Sequence, residues 1–226
     1  MMHELLANLR RRPHGPAELV ADGLRVVGLV CIVIAGIGWG PLGAVSLAFV
    51  SGAMLLPRAL AVRPGFDIAY CVIALVSVWS SVTDLYVTVK WWDLPMHFLM
   101  TALAAAVCYI PLERFGVVAE ASTLPRPLLS TSVVTTAIGL ALATFWEMFE
   151  WFGKTFLDET IYVGYRDTIG DIVAGGLGSL LAGLIMPVLV AQPGRAAASA
   201  DAGEGGAAGA DRSTAASDGP PTRPVA

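Results

Sequence analysis

Six apolar runs dominate this chain, at residues 23–39, 41–57, 66–89, 95–113, 129–153 and 168–191. Each is close to the roughly 20 residues a helix needs to cross a bilayer core. In lipid the backbone must satisfy its own hydrogen bonds, so runs of this length predict helices. Only 14% of the residues are charged and the mean hydropathy is +0.70. That is too little charged surface for a soluble domain. The expected fold class is therefore all-α, a polytopic transmembrane helical bundle of about six spanning helices. Gly38-Trp39-Gly40-Pro41 stands between the first two runs and predicts a tight turn joining them as a hairpin.

Basic residues orient the bundle. With the N-terminus in the cytoplasm, the inner side carries Arg10, Arg11, Arg12, Arg25, Arg58, Arg63, Arg114, Arg126 and Arg195, with Arg212 and Arg223 beyond them. The outer side carries Lys90, Lys154 and Arg166. This bias predicts a multi-pass protein of a bacterial inner membrane with both termini cytoplasmic. The domains expected are a cytoplasmic N-terminal flank at 1–22, a transmembrane domain at 23–191 and a disordered cytoplasmic tail at 192–226. The tail is rich in Ala, Gly, Ser, Pro and Asp and has too few bulky apolar side chains to build a core. Cys31, Cys71 and Cys108 fall in apolar runs without a Cys-x-x-Cys pair and read as packing residues. The basic residues flank membrane segments and form no aromatic-basic module, so no nucleic-acid partner is expected.

Against this background the polar residues stand out. Asp84, Asp93, His97, Glu147, Glu150, Asp167 and Asp171 lie within or at the edges of the apolar runs, with helical spacings at Asp93/His97, Glu147/Glu150 and Asp167/Asp171. In the predicted topology they come from four helices and fall within roughly 10 Å of one membrane boundary, at about 1.5 Å rise per residue. Ser77, Ser80, Ser81, Asp84 and Thr88 form a polar stripe on the third helix, and Asp93, His97 and Thr101 one on the fourth. Thr144, Glu147, Glu150 and Lys154 share a broad face of the fifth. On the sixth, Asp167 and Asp171 continue into Ala174, Gly175, Gly178, Ser179 and Ala182, small residues that let helices close on one another. A lone Asp at a helix centre costs about 2.5–3.5 kcal/mol on insertion scales, so so many carboxylates need compensation. Protonation, a cationic ligand or a metal ion would supply it.

The run Asp93-Leu94-Pro95-Met96-His97-Phe98, then Glu147-x-x-Glu150, then Asp167-Thr168-Ile169-Gly170-Asp171 resembles two bacterial membrane families. One is the YjdF-like family of multipass proteins. The other is the VanZ-like family, linked to glycopeptide resistance. The resemblance spans roughly residues 66–191. The VanZ-like pattern implies Asp93, His97, Glu147 and Asp167 as signature polar residues. Leu94 replaces a common Lys, Glu150 a common Gln and Asp171 a common Asn of that pattern, and these departures favour the YjdF-like likeness.

Three functions fit the polar set. The first is a metal-dependent enzyme on a lipid or lipid-linked envelope substrate. Asp84, His97, Glu147 and Asp171 would hold a divalent metal ion, since carboxylates with one histidine suit Mg2+, Mn2+, Ca2+ or Zn2+. Glu150 and Glu147 would be the catalytic acid and base. Arg166, Lys154, Asp93 and Asp167 would contact substrate. The second is a proton- or cation-coupled transporter, although the inner helix halves carry no matching acidic relay. The third is an envelope scaffold or sensor whose polar cluster only ties helices together. Membrane lipids are the expected surroundings in all three.

Overall fold

The computed structural model describes residues 2–157, 159 and 163–190, with side chains described as far as Met186. The predicted tail at 192–226 and its basic residues lie outside the described residues, as does Asp158. The described chain is helical, with no strand. Its helices are α1 (Met2–Arg10), α2 (Pro16–Ala53), α3 (Leu55–Ala59), α4 (Pro64–Val82), α5 (Leu85–Thr88), α6 (Asp93–Arg114), α7 (Pro127–Phe156) and α8 (Tyr165–Val190). Pro16, Pro64 and Pro127 each open a helix. Proline suits that position because its fixed φ is helical and its missing N–H would lack an intrahelical partner anyway.

Five stretches are long and apolar enough to cross a membrane: Pro16–Ala59, Pro64–Val82, Lys90–Arg114, Pro127–Phe156 and Tyr165–Met186. The first is not a single straight pass. Gly40 takes φ 79° and ψ −169°, outside helical space, and Pro41 follows it. Glycine reaches that left-handed φ without a Cβ penalty, and proline removes the donor that would continue the ladder. The chain reverses there. The Arg25 Nε donates to the Met54 carbonyl at 2.9 Å, although 29 residues separate them. In an unbroken helix those residues would stand about 43 Å apart. A Cβ on Gly28 would likewise meet the Ser51 hydroxyl. The two arms of α2 therefore form the hairpin that the Gly-Trp-Gly-Pro turn predicted. The first helix begins at Pro16, seven residues earlier than the apolar run, because Glu18 and Asp22 are held by ion pairs rather than left as a flank.

The third predicted segment, 66–89, is corrected. Helix α4 stops at Val82, and Asp84 adopts a left-handed conformation (φ 56°) before the short helix α5 and a 3-10 turn at Lys90–Trp92. Aspartate tolerates that region better than most side chains. The Thr83 hydroxyl donates to the Trp79 carbonyl at 2.7 Å, satisfying an acceptor that the helix end leaves open.

Helix α8 packs against both α6 and α7. Lipid chains are as apolar as leucine, so close van der Waals contact, rather than expulsion from water, must hold these helices together. A methyl group at Gly178 would run into the Phe98 carbonyl of α6. One at Gly183 would strike the Ser132 backbone of α7. Ser179 is fully buried between them, with its hydroxyl donating to the Gly175 carbonyl at 2.8 Å. The small-residue stripe of the last helix does face the bundle interior, as its spacing implied. The α2 hairpin packs mainly on α4, which also meets α6, where the Ser77 hydroxyl lies 3.7 Å from the Met96 sulfur. Cys31, Cys71 and Cys108 are all free thiols.

Candidate functional site

Helices α6 and α8 begin, and α7 ends, at the same end of the bundle. This shared end places the polar residues. Asp93 opens α6 and His97 follows one turn later, with its Nε2 3.4 Å from Asp93 Oδ1. Asp171 lies nearly two turns into α8, one turn beyond Asp167, and is 2% exposed. One ligand atom from each of Asp93, His97 and Asp171 falls within 4.8 Å of the others. Calcium takes oxygen ligands at about 2.3–2.6 Å, so opposite donors around it span about 5 Å. Around Mg2+ or Zn2+, at about 2.0–2.2 Å, the same three atoms would draw slightly closer. The donor set fits a hard or borderline divalent ion, and three protein ligands leave a position for water or substrate.

Glu147 approaches the group from α7. It is 6% exposed, with both carboxylate oxygens buried and the Thr168 hydroxyl of α8 as the polar group that interacts with them. Its charge interacts with those of His97, Asp93 and Asp167. One oxygen of Asp171, Oδ2, is buried without a partner. Buried polar groups are nearly always satisfied, so sparsely partnered carboxylate oxygens in two neighbouring side chains need an explanation. A groove of about 420 Å³ runs beside Glu147 between α7 and α8, lined also by Thr144, Met148, Trp151, Tyr165, Thr168 and Ile172.

The remaining predicted site residues fall elsewhere. Asp84 is exposed in its turn and is not among the converging ligand atoms. Asp93, expected to contact substrate, joins the converging group, and the helix break at Val82 leaves Asp84 in an exposed turn. Glu150 is half-buried and accepts a hydrogen bond from Trp146 Nε1 at 2.7 Å. Among the described residues no ion pair joins it to Lys154. Asp167 is half-buried at the start of α8, and Arg166 beside it is exposed. On α7 the broad polar face narrows to Glu147, since Thr144 is exposed.

A second polar cluster at the opposite end was not legible as such. Arg25 donates to Asp22 Oδ1 at 2.9 Å and pairs closely with Asp67. Arg58 reaches Glu18 and Asp22 at 3.4 and 3.3 Å and donates to the Arg11 carbonyl. Arg25, Arg58 and Asp67 are all buried. Sequence reading took the arginines for interfacial flanks and passed over Glu18, Asp22 and Asp67. The one available signal was the three-residue spacing of Asp22 and Arg25 on a helix.

These elements define the class: a polytopic helical membrane protein whose last three helices bury an Asp/His/Glu cluster at one end. The chain belongs to the predicted membrane protein family DUF2238, whose family model matches residues 24–192. This is the YjdF-like family to which the motifs pointed, and nothing in the match speaks for the VanZ-like one. No curated protein and no solved structure matches the chain.

Proposed function

We propose that Asp93, His97 and Asp171 hold a divalent metal ion, and that the protein is a metal-dependent enzyme acting on a lipid or lipid-linked envelope substrate. The observation that carries this reading is the convergence of the three ligand atoms within 4.8 Å, beside the buried carboxylate of Glu147. A bound ion would supply Lewis acidity and a lowered pKa for its water. Glu147, which lines the groove between α7 and α8, would serve as general base or acid. Asp167 and Arg166, at the start of α8, would contact the substrate's headgroup. The bias of Arg toward the opposite end supports a site on the outer face of a bacterial inner membrane, with the N-terminus cytoplasmic.

The transporter reading is weaker on one observation. Deeper in the α6–α8 core, the described buried polar side chains are hydroxyls, Thr101, Thr131, Ser132, Thr135 and Ser179, without a carboxylate. A scaffold reading leaves unexplained why Glu147 is buried with little beyond the Thr168 hydroxyl to meet two carboxylate oxygens. Asp171→Asn and Glu147→Gln separate the readings. In folded, purified protein the enzyme reading expects Asp171→Asn to lose bound metal. It expects Glu147→Gln to keep metal and lose turnover of lipid-linked substrates. Ion-driven uptake into proteoliposomes that both substitutions abolish would instead favour transport.

A further inference from the structure

The groove beside Glu147 has a chemistry of its own. Its rim residues Met148, Trp151 and Tyr165 are 56%, 56% and 87% exposed and turn away from the bundle. Its opening therefore faces the surrounding membrane. Its volume of about 420 Å³ lies within the roughly 300–1,000 Å³ of small-molecule sites. The lining is largely apolar, with hydroxyls from Thr144, Tyr165 and Thr168; among the described lining residues Glu147 is the one carboxylic acid, and there is no Lys, Arg or His.

Charge decides what fits. A divalent ion held by Asp93 and Asp171 would be balanced by those two carboxylates. Glu147 is left over, with both oxygens buried and no countercharge of its own, only the Thr168 hydroxyl beside it. An anionic head in this groove would meet a like charge with no lining cation to offset it. A cationic, hydrogen-bond-donating head would satisfy both oxygens, and charge-assisted hydrogen bonds of this type are the strong ones. Tryptophan and tyrosine at the rim suit the interfacial depth at which an amphiphile presents its head.

We propose that the groove between α7 and α8 admits, sideways from the bilayer, a single amphiphile bearing an amine, whose ammonium group pairs with Glu147 while its chain lies against Met148 and Trp151. This rests on the cluster being the working site, and names the chemical class that approaches it.

The test uses the purified full-length chain in micelles with a photoactivatable long-chain alkyl amine, and crosslinked peptides mapped by mass spectrometry. Labelling is expected within Thr144–Trp151 or Tyr165–Ile172. Dodecylamine should displace the probe at least about tenfold better than dodecanoate, the scale of one charge-assisted hydrogen bond. Glu147→Gln should cut labelling by a similar factor. Thr144→Trp, which fills the groove from an exposed position, should block labelling while bound metal stays unchanged. Equal displacement by dodecanoate, or labelling indifferent to both substitutions, would overturn the proposal. Metal content is measured on the same samples. Metal-free protein that still labels sinks the metalloenzyme reading alone, whereas metal-loaded protein that does not label sinks the amphiphile alone.

Discussion

The Nε2 of His97 lies 3.4 Å from Oδ1 of Asp93, one turn earlier on α6. Asp171 of α8 brings a carboxylate oxygen into the same small volume. Two helices that are not consecutive in sequence are thus joined at a polar point inside an apolar bundle. What sets their separation is the close approach lower down, where Gly178 lies against the Phe98 carbonyl.

That approach makes Gly178 a test of how packing positions the site. Gly178→Ala puts a methyl group into a backbone oxygen, which no rotamer change can relieve. Overpacking of this kind costs about 1–3 kcal/mol. Unfolding in detergent should show that loss, and metal affinity should fall with it because α8 is pushed off α6. Unchanged stability would mean that the two helices are not packed as described.

Glu147 offers the opposite sign. A buried polar group left unsatisfied costs about 1–3 kcal/mol. Glu147→Met replaces it with an apolar side chain of similar volume. Metal-free Glu147→Met protein should therefore be more stable than wild type by about that amount, and inactive. A destabilised variant would show that Glu147 is already satisfied in the folded protein and would remove the argument for a ligand there.

At the far end, Asp67→Asn should leave Arg25 short of one countercharge. Removing one member of a buried ion pair costs about 3–5 kcal/mol, and Asp22 remains to offset part of it. A loss toward the low end of that range is expected in thermal unfolding, with metal content unchanged because the two clusters lie at opposite ends. Metal loss without destabilisation would contradict this separation.

Much of the architecture was legible because membrane insertion leaves few options. Run length predicted the spans, and Gly40-Pro41 marked the hairpin. The small-residue stripe on the last helix predicted its buried face correctly. The site was legible in part: His97, Glu147 and Asp171 were singled out, and all three are buried. Asp84 lies in a turn rather than on the third helix because that helix stops at Val82, although the apolar pattern runs on through Val89 and no proline or glycine announces the break. Asp67 and Asp22 were missed because an acid near a helix start has an ordinary explanation in the helix dipole. Asp67 meets the buried Arg25 only once α2 packs on α4, which the sequence does not announce, whereas Asp22 lies three residues from Arg25 on one helix.

The central claim is that Asp93, His97 and Asp171 bind a divalent ion. Elemental analysis of the purified full-length protein, followed by titration after chelation, tests it most directly. About one divalent ion per chain is expected, as a three-ligand site of this kind would hold. That ion should be lost in Asp171→Asn and in His97→Ala and kept in Asp84→Asn, which preserves the exposed left-handed turn. Protein that carries no metal and binds none on titration, or a site lost with Asp84 but not with Asp171, would contradict it.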